Sequence, residues 1–205
     1  MADINHTPRL SFSAFCKYMK APTSTAQLGI LRTQKFPKEG PMKSYVAATE
    51  RIKQHLVDGR PLTHGGLRDY EADALKAFAS NWSAPAGHAY DRPQSYQQKL
   101  EILGVEISCF PTVLVRRAKT GRTGAMKVFL NKDPKIDGDL GKTMATLLYY
   151  FLDEVAGEDV DPGLVTVLES RKGAEHQASP STTRLLKNVE DTCFMVGSVW
   201  DRLGP

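Results

Sequence analysis

Apolar residues that recur every three or four positions run through the first hundred residues and predict a series of helices. Ser11 can cap the first helix, Pro41 suits the first turn of the third, and Gly59 suits its C-terminal end. The predicted helices cover residues 11–21, 25–34, 41–59, 67–82 and 95–104. The N-terminal half is therefore expected to be mostly helical.

From Gly104 onward the apolar pattern changes to a period of two and predicts strands. The strands are predicted over residues 105–110, 112–117 and 124–130, with a further, continuously apolar strand over residues 163–170. Helices are predicted over residues 139–157, with Asp139 as the cap, and over residues 181–203. A single right-handed crossover helix between strands 124–130 and 163–170 would make those two strands parallel.

This order of elements predicts an α+β (or α/β) fold with a small mixed β-sheet flanked by helices. Residues 1–103 are expected to form a mostly helical N-terminal region that packs on the core. Residues 104–205 are expected to form the α/β core domain itself.

Composition adds modest constraints. The 205 residues are 41% apolar and 24% charged, with a net charge of +4, as in ordinary globular proteins. The three cysteines form no CxxC pair and are interpreted as reduced, mostly buried thiols. No apolar leader or long apolar run occurs, so we expect a cytoplasmic protein that does not contact a membrane.

Positive charge concentrates in one stretch. Between Ile107 and Lys132 there is no acidic residue, and the six basic ones are Arg116, Arg117, Lys119, Arg122, Lys127 and Lys132. A hairpin of this composition can lie along a phosphate backbone. The alternative is a solvated hairpin whose charges protect an exposed sheet edge. Residues 1–60 are also basic, with ten Lys or Arg against four Asp or Glu.

Lys127 lies in the middle of the strand GAMKVFL, where Ala125, Lys127 and Phe129 share one face. The amine could face a phosphate, or the strand could lie at an edge with the amine extended to water. A second phosphate motif, GDLGKT, has two residues between its glycines where a P-loop needs four, so triphosphate binding is not indicated.

Residues 95–170 resemble the PD-(D/E)XK nuclease superfamily in their order of helix, strand pair, lysine-bearing strand, helix and strand. The segments that carry the resemblance are Phe110–Thr112 and Gly124–Lys127. The resemblance implies metal-assisted phosphodiester hydrolysis, with Lys127 as the lysine that helps position water and phosphate. Threonine stands at 112 and alanine at 125, where the family carries the carboxylates that bind Mg²⁺.

Displaced carboxylates could restore such a site. Glu106 is predicted as a catalytic and metal-binding residue and Glu101 as a second metal ligand, with Asp133 and Asp137 as another source. The cofactor would be Mg²⁺ if the protein is active. Glu106 can equally face solvent on a half-exposed strand.

Three functions follow from these patterns. The first is a nuclease-like protein that binds DNA or another nucleic acid through Arg116, Arg117, Lys119, Arg122 and Lys132, with a degenerate metal-dependent site. The second is a non-enzymatic module that uses the same fold to bind a protein partner. The third is a hydrolase of another kind whose site residues the sequence does not reveal.

Overall fold

The computed structural model describes residues 4–37, 44–179 and 183–205. Its helices are α1 (Phe12–Lys20), α2 (Ser24–Lys35), α3 (Val46–Asp58), α4 (Asp69–Asn81), α5 (Gly138–Tyr150) and α6 (Thr183–Trp200). Its strands are β1 (Arg9–Ser11), β2 (His88–Asp91), β3 (Leu100–Ile102), β4 (Val105–Ser108), β5 (Val113–Arg117), β6 (Thr123–Phe129), β7 (Val165–Glu169) and β8 (Ala174–Gln177). A π-helical turn (Phe151–Val155) follows α5, and a short 3-10 turn (Pro162–Leu164) precedes β7.

The strands form two mixed sheets. The larger sheet has the order β2-β5-β6-β7-β8, and the smaller has the order β1-β4-β3. In the larger sheet β6 and β7 are parallel, as the predicted crossover through one helix requires, and the other neighbours are antiparallel. The predicted α+β class is thereby confirmed, as is the largely helical N-terminal region.

Apolar side chains on the two faces of the larger sheet form two separate cores. Helices α3 and α4 cover one face, where Ile52 and Phe78 pack on Met126 and Val128. Helices α1 and α5 cover the other face, and their core continues to the smaller sheet and α6, where Trp200 is fully buried. We call these the α4 face and the α5 face.

Helix ends agree in part with the sequence predictions. The Ser11 side chain accepts a hydrogen bond from Ala14 N at 3.2 Å and caps α1, and Gly59 ends α3 with a φ of 67°. The predicted start of α3 at Pro41 lies outside the described residues. The cap of α5 is Asp137 instead of Asp139, because Asp137 accepts a hydrogen bond from Leu140 N at 2.9 Å.

The helix predicted over residues 95–104 is wrong. Leu100–Ile102 is strand β3, which turns through Leu103 and Gly104, both at positive φ, to pair with β4. Strand pairing supplies the backbone hydrogen bonds that an isolated short helix would have to make alone. The short strands β1, β2 and β8 were not predicted either.

The predicted domain boundary at residues 103–104 falls within this turn between β3 and β4. Strands from both sides of it join in each sheet, since β1 pairs with β4 and β2 pairs with β5. Cys16, Cys109 and Cys193 are free and buried. Among the described helices, none has the length and apolar character that crossing a bilayer requires.

A buried carboxylate caps α3. The Glu71 side chain is 5% exposed and its Oε1 accepts hydrogen bonds from Ala47 N at 3.2 Å and Ala48 N at 3.3 Å. Because α3 has no capping side chain of its own at Tyr45, Glu71 ties α4 to the start of α3.

Glu71→Ala is expected to lower the free energy of unfolding by about 1–2 kcal/mol, because two helix-terminal N–H groups lose their acceptor. Glu71→Gln, which keeps one oxygen acceptor, should cost less than half as much. Urea denaturation measures both, with the exposed Glu101→Gln as the matched control. Equal stability of Glu71→Ala and wild type would contradict this role.

Candidate nucleic-acid interface

Lys127 extends from β6 into the α5 face, between Ala125 and Phe129 of the same strand. Its Nζ lies 5.7 Å from the centroid of the Phe12 ring in α1, a cation–π distance. Burial lowers the pKa of the amine to about 8, while the nearby thiols of Cys109 and Cys16 oppose that shift. Strand β6 has neighbours on both sides, so Lys127 is not on an edge strand.

Lys127→Met is expected to raise the free energy of unfolding at pH 7 by about 2 kcal/mol, because the wild type buries an ammonium group there. The folded-state pKa is depressed, so this cost is complete below pH 8 and disappears as the pH rises toward 10.5. The advantage of Lys127→Met should therefore shrink between pH 8 and pH 10.5 in urea denaturation.

Lys17→Met serves as the control for that series, since it removes an exposed amine instead of a buried one. A stability difference between Lys127→Met and wild type that stays constant across this pH range would contradict the burial of a charged amine.

The structure does not bring the predicted carboxylates to Lys127. Glu101 and Glu106 lie opposite each other on β3 and β4 of the smaller sheet. The Glu106 carboxylate accepts a hydrogen bond from Lys99 Nζ at 2.6 Å, and Glu101 is exposed. Within residues 4–37, 44–179 and 183–205, no group of three His, Cys, Asp or Glu is arranged to hold a metal ion.

The other positions of the nuclease resemblance have structural roles. Thr112 is 1% exposed, and its hydroxyl accepts a hydrogen bond from Val128 N at 3.0 Å. Ala125 is fully buried in the α5-face core. Asp137 caps α5 and pairs with Lys20, and these contacts hold the pKa of its carboxyl below the usual value.

Three of the predicted phosphate-binding side chains already have acidic partners. Arg116 pairs with Asp91, and Arg122 pairs with Asp161 at 3.0 Å. Lys132 lies 3.5 Å from Asp73, which Arg171 also contacts at 3.0 Å. Much of the positive charge that the sequence concentrates in this region is thus offset by acids from other parts of the chain.

Arg117 and Lys119 differ from those three. Neither makes an ion pair with any residue that the structure describes, and both are exposed. Arg117 follows Val115 at strand spacing and so lies on the α4 face, whereas Arg116 points to the α5 face. The basic hairpin, residues 113–129, therefore presents its free cations at the turn and on the α4 face.

Beside Arg117 the α4 face contains a cavity of about 100 Å³. All five strands of the larger sheet contribute residues to it, because side chains at alternate positions of a strand lie on the same face of the sheet. We call it the aromatic cavity; its lining includes Trp82, His88, Tyr90, Arg117, Glu175 and Gln177. Its floor is formed by Val115, Met126 and Thr166.

The cavity exists because α4 ends at Asn81 and leaves the adjoining part of the sheet face uncovered by a helix. Trp82 follows directly and packs against Phe78 at a ring-centroid distance of 5.3 Å. Its indole N–H donates a hydrogen bond to Glu175, which fixes the orientation of the ring. Burial and the charge of Glu175 raise the pKa of Tyr90 to about 12, so its hydroxyl is protonated at neutral pH.

Sequence reasoning named Arg117 but missed Trp82, Tyr90 and Glu175. Trp82 ends the helix predicted over residues 67–82, and the sequence pattern predicts no element over residues 88–91 or 174–177. Neither HAYD nor AEHQ alternates apolar and polar residues, and strands of four residues between turns are too short for periodicity alone to identify.

Comparison with family models, curated proteins and solved structures finds no match for this chain.

Proposed function

We propose that the protein binds nucleic acid, with Arg117 and Lys119 of the basic hairpin contacting phosphate groups. The observation that carries the proposal is the pairing pattern of the hairpin cations. Arg116 and Arg122 form ion pairs with Asp91 and Asp161, whereas Arg117 and Lys119 form no ion pair among the described residues, although Asp161 also lies within electrostatic reach of Arg117. Exposed cations that form no internal ion pair can bind an external polyanion.

The location of Arg117 supports the same proposal. Arg117 lines the aromatic cavity, so that a cationic residue and aromatic residues occur together on one open sheet face. Proteins that bind single-stranded nucleic acid combine these features, with cations on the backbone and rings against the bases. A larger open cleft of about 450 Å³ adjoins the hairpin turn at Thr120–Thr123.

Salt dependence tests the proposal. Anisotropy of a labelled 20-nucleotide DNA strand, titrated at 50 to 200 mM salt, should give a linear fall of log affinity against log salt. Two phosphate contacts predict a slope of about −1.4 for a single strand. Absence of binding at 50 mM salt, or affinity that does not change with salt, would refute the proposal.

Phosphodiester cleavage is not part of the proposal, because the described carboxylates predicted as metal ligands do not approach Lys127. The binding assay includes arms with Mg²⁺ and Mn²⁺. Cleavage that requires either ion and disappears in Lys127→Ala would restore the hydrolytic interpretation.

One observation favours the alternative of a protein-binding module. Phe194 and Met195 on α6 are 65% and 53% exposed, which is unusual for adjacent large apolar residues. If this surface binds protein, Phe194→Ser should abolish association with a second copy or another protein without changing the free energy of unfolding. Size-exclusion chromatography with light scattering tests self-association directly.

A further inference from the structure

We infer that the aromatic cavity receives one unpaired base, so that the protein prefers single-stranded over double-stranded nucleic acid. This inference rests on the proposed function and adds the part of the ligand that the cavity recognises. The cations of the hairpin account only for binding to phosphate and do not distinguish single from double strands.

The size of the cavity limits its occupant. A volume of about 100 Å³ is well above the space that one water molecule needs and below that of a site for a drug-sized ligand. The ring system of a single nucleobase has a volume of this order. A base that is paired within a duplex cannot enter, because its edge and faces are already occupied by its partner and its neighbours.

The lining suits a planar ring. The Trp82 indole is held by Phe78 behind it and by the hydrogen bond to Glu175, so it loses little conformational freedom when a ring stacks on it. Tyr90 lies on β2 at the same cavity. Aromatic stacking of this kind accepts any base, since every base has a π-face.

Polar groups at the cavity can read the edge of a base. The Tyr90 hydroxyl and the Gln177 amide make no hydrogen bond with any described residue, although both line the cavity. An amide offers a donor and an acceptor side by side, which matches the paired groups on a base edge. Arg117 at the rim is placed to contact the phosphate attached to the same nucleotide.

Charge argues against an organic cation as the occupant. Aromatic residues with a carboxylate could form a cage for a quaternary ammonium group. Here the Glu175 carboxylate already accepts the Trp82 N–H, and Arg117 lines the same cavity. The unpaired cations Arg117 and Lys119 repel a positive ligand and attract an anionic one such as a nucleotide.

Tryptophan fluorescence gives the first test. The two tryptophans are Trp82, at the cavity, and Trp200, which is fully buried and donates its indole N–H to Asn5 O. Adenosine and cytidine 5′-monophosphates should quench the emission of wild type and leave Trp82→Phe unchanged. Quenching by tetramethylammonium but by neither nucleotide would overturn the inference in favour of a cation cage.

Strand selectivity gives the second test. A 12-nucleotide single strand should bind about tenfold more tightly than its duplex, and Tyr90→Leu should weaken single-strand binding about 5- to 100-fold. Tyr90→Phe, which keeps the ring and loses only the hydroxyl, should weaken single-strand binding less than Tyr90→Leu does. The exposed Gln177→Ala should lower single-strand affinity without altering the fold, measured by circular dichroism.

The failures of the two proposals differ. Equal affinity for single and double strands, with Tyr90→Leu, Gln177→Ala and wild type alike, overturns the base site and leaves phosphate binding in place. Loss of all oligonucleotide binding, with nucleotides still quenching Trp82, refutes the proposed function and supports the cavity as a base site. Absence of both signals overturns both.

Discussion

Gly173→Ala is expected to lower the free energy of unfolding by about 3 kcal/mol or more. This is the largest loss of stability that we predict for a single substitution. Gly173 lies in the turn between β7 and β8 at a φ of 66°, where an alanine is strained. A Cβ there would also lie 1.9 Å from the carbonyl oxygen of Asn81, an overlap that only backbone movement can relieve.

This close approach matters for the candidate site. The Asn81 side chain donates a hydrogen bond to Arg171 O at 2.8 Å in the same turn, so the end of α4 and the β7–β8 turn are held together. Trp82 and Glu175, which follow these two points in the chain, form one wall of the aromatic cavity. Separation of the turn from α4 should therefore also change the Trp82 fluorescence of the folded variant.

Gly121→Ala is the matched control. Gly121 has a φ of 67° in the hairpin turn, but a Cβ there would meet no atom within 4 Å. Gly121→Ala should therefore lower the free energy of unfolding only through backbone strain, by about 1–2 kcal/mol. Urea denaturation of both variants separates strain from overlap. If the two substitutions cost the same, Asn81 does not constrain Gly173.

The double variant Arg117→Ala with Lys119→Ala is expected to lose affinity for nucleic acid by roughly 10- to 100-fold at 50 mM salt, because two charge-assisted contacts to phosphate are removed. The slope of log affinity against log salt should also become shallower by about 1.4. Both quantities come from the same anisotropy titrations.

Arg116→Ala with Arg122→Ala is the control of equal charge change. Because Asp91 and Asp161 neutralise these two arginines, their removal should alter affinity by less than about threefold. Each replacement leaves a carboxylate unpaired near the hairpin. Because that carboxylate repels phosphate, the small change in affinity should be a loss. If the two double variants are equally impaired, overall charge governs binding and the pairing pattern carries no information.

Most of the elements could be predicted from local sequence. Helices α1, α4, α5 and α6 have apolar residues at helical spacing, and β5, β6 and β7 have the alternating or continuous apolar pattern of strands. Segments of this kind follow from periodicity because one face of each must be buried wherever it packs. The predicted helix at residues 95–104 failed because its pairing partner, β4, overrides a weak local preference.

The candidate site followed the sequence only in part. Arg117 and Lys119 are visible as cations in a basic stretch, but their separation from Arg116, Arg122 and Lys132 depends on acids contributed by distant segments. The resemblance to a nuclease site around Lys127 placed Glu106 nearby in the chain. The structure places Glu106 in the other sheet, where it accepts a hydrogen bond from Lys99.

By itself, the sequence determined which segments are helices or strands, the buried state of the cysteines, and an excess of positive charge in the hairpin. Each of these depends on residue type and spacing within one segment. Only the tertiary structure decided which of the hairpin cations form ion pairs, where the Lys127 amine lies, and that Trp82 and Tyr90 line one cavity on an open sheet face. Those features depend on contacts between residues far apart in the chain, which a local pattern does not encode.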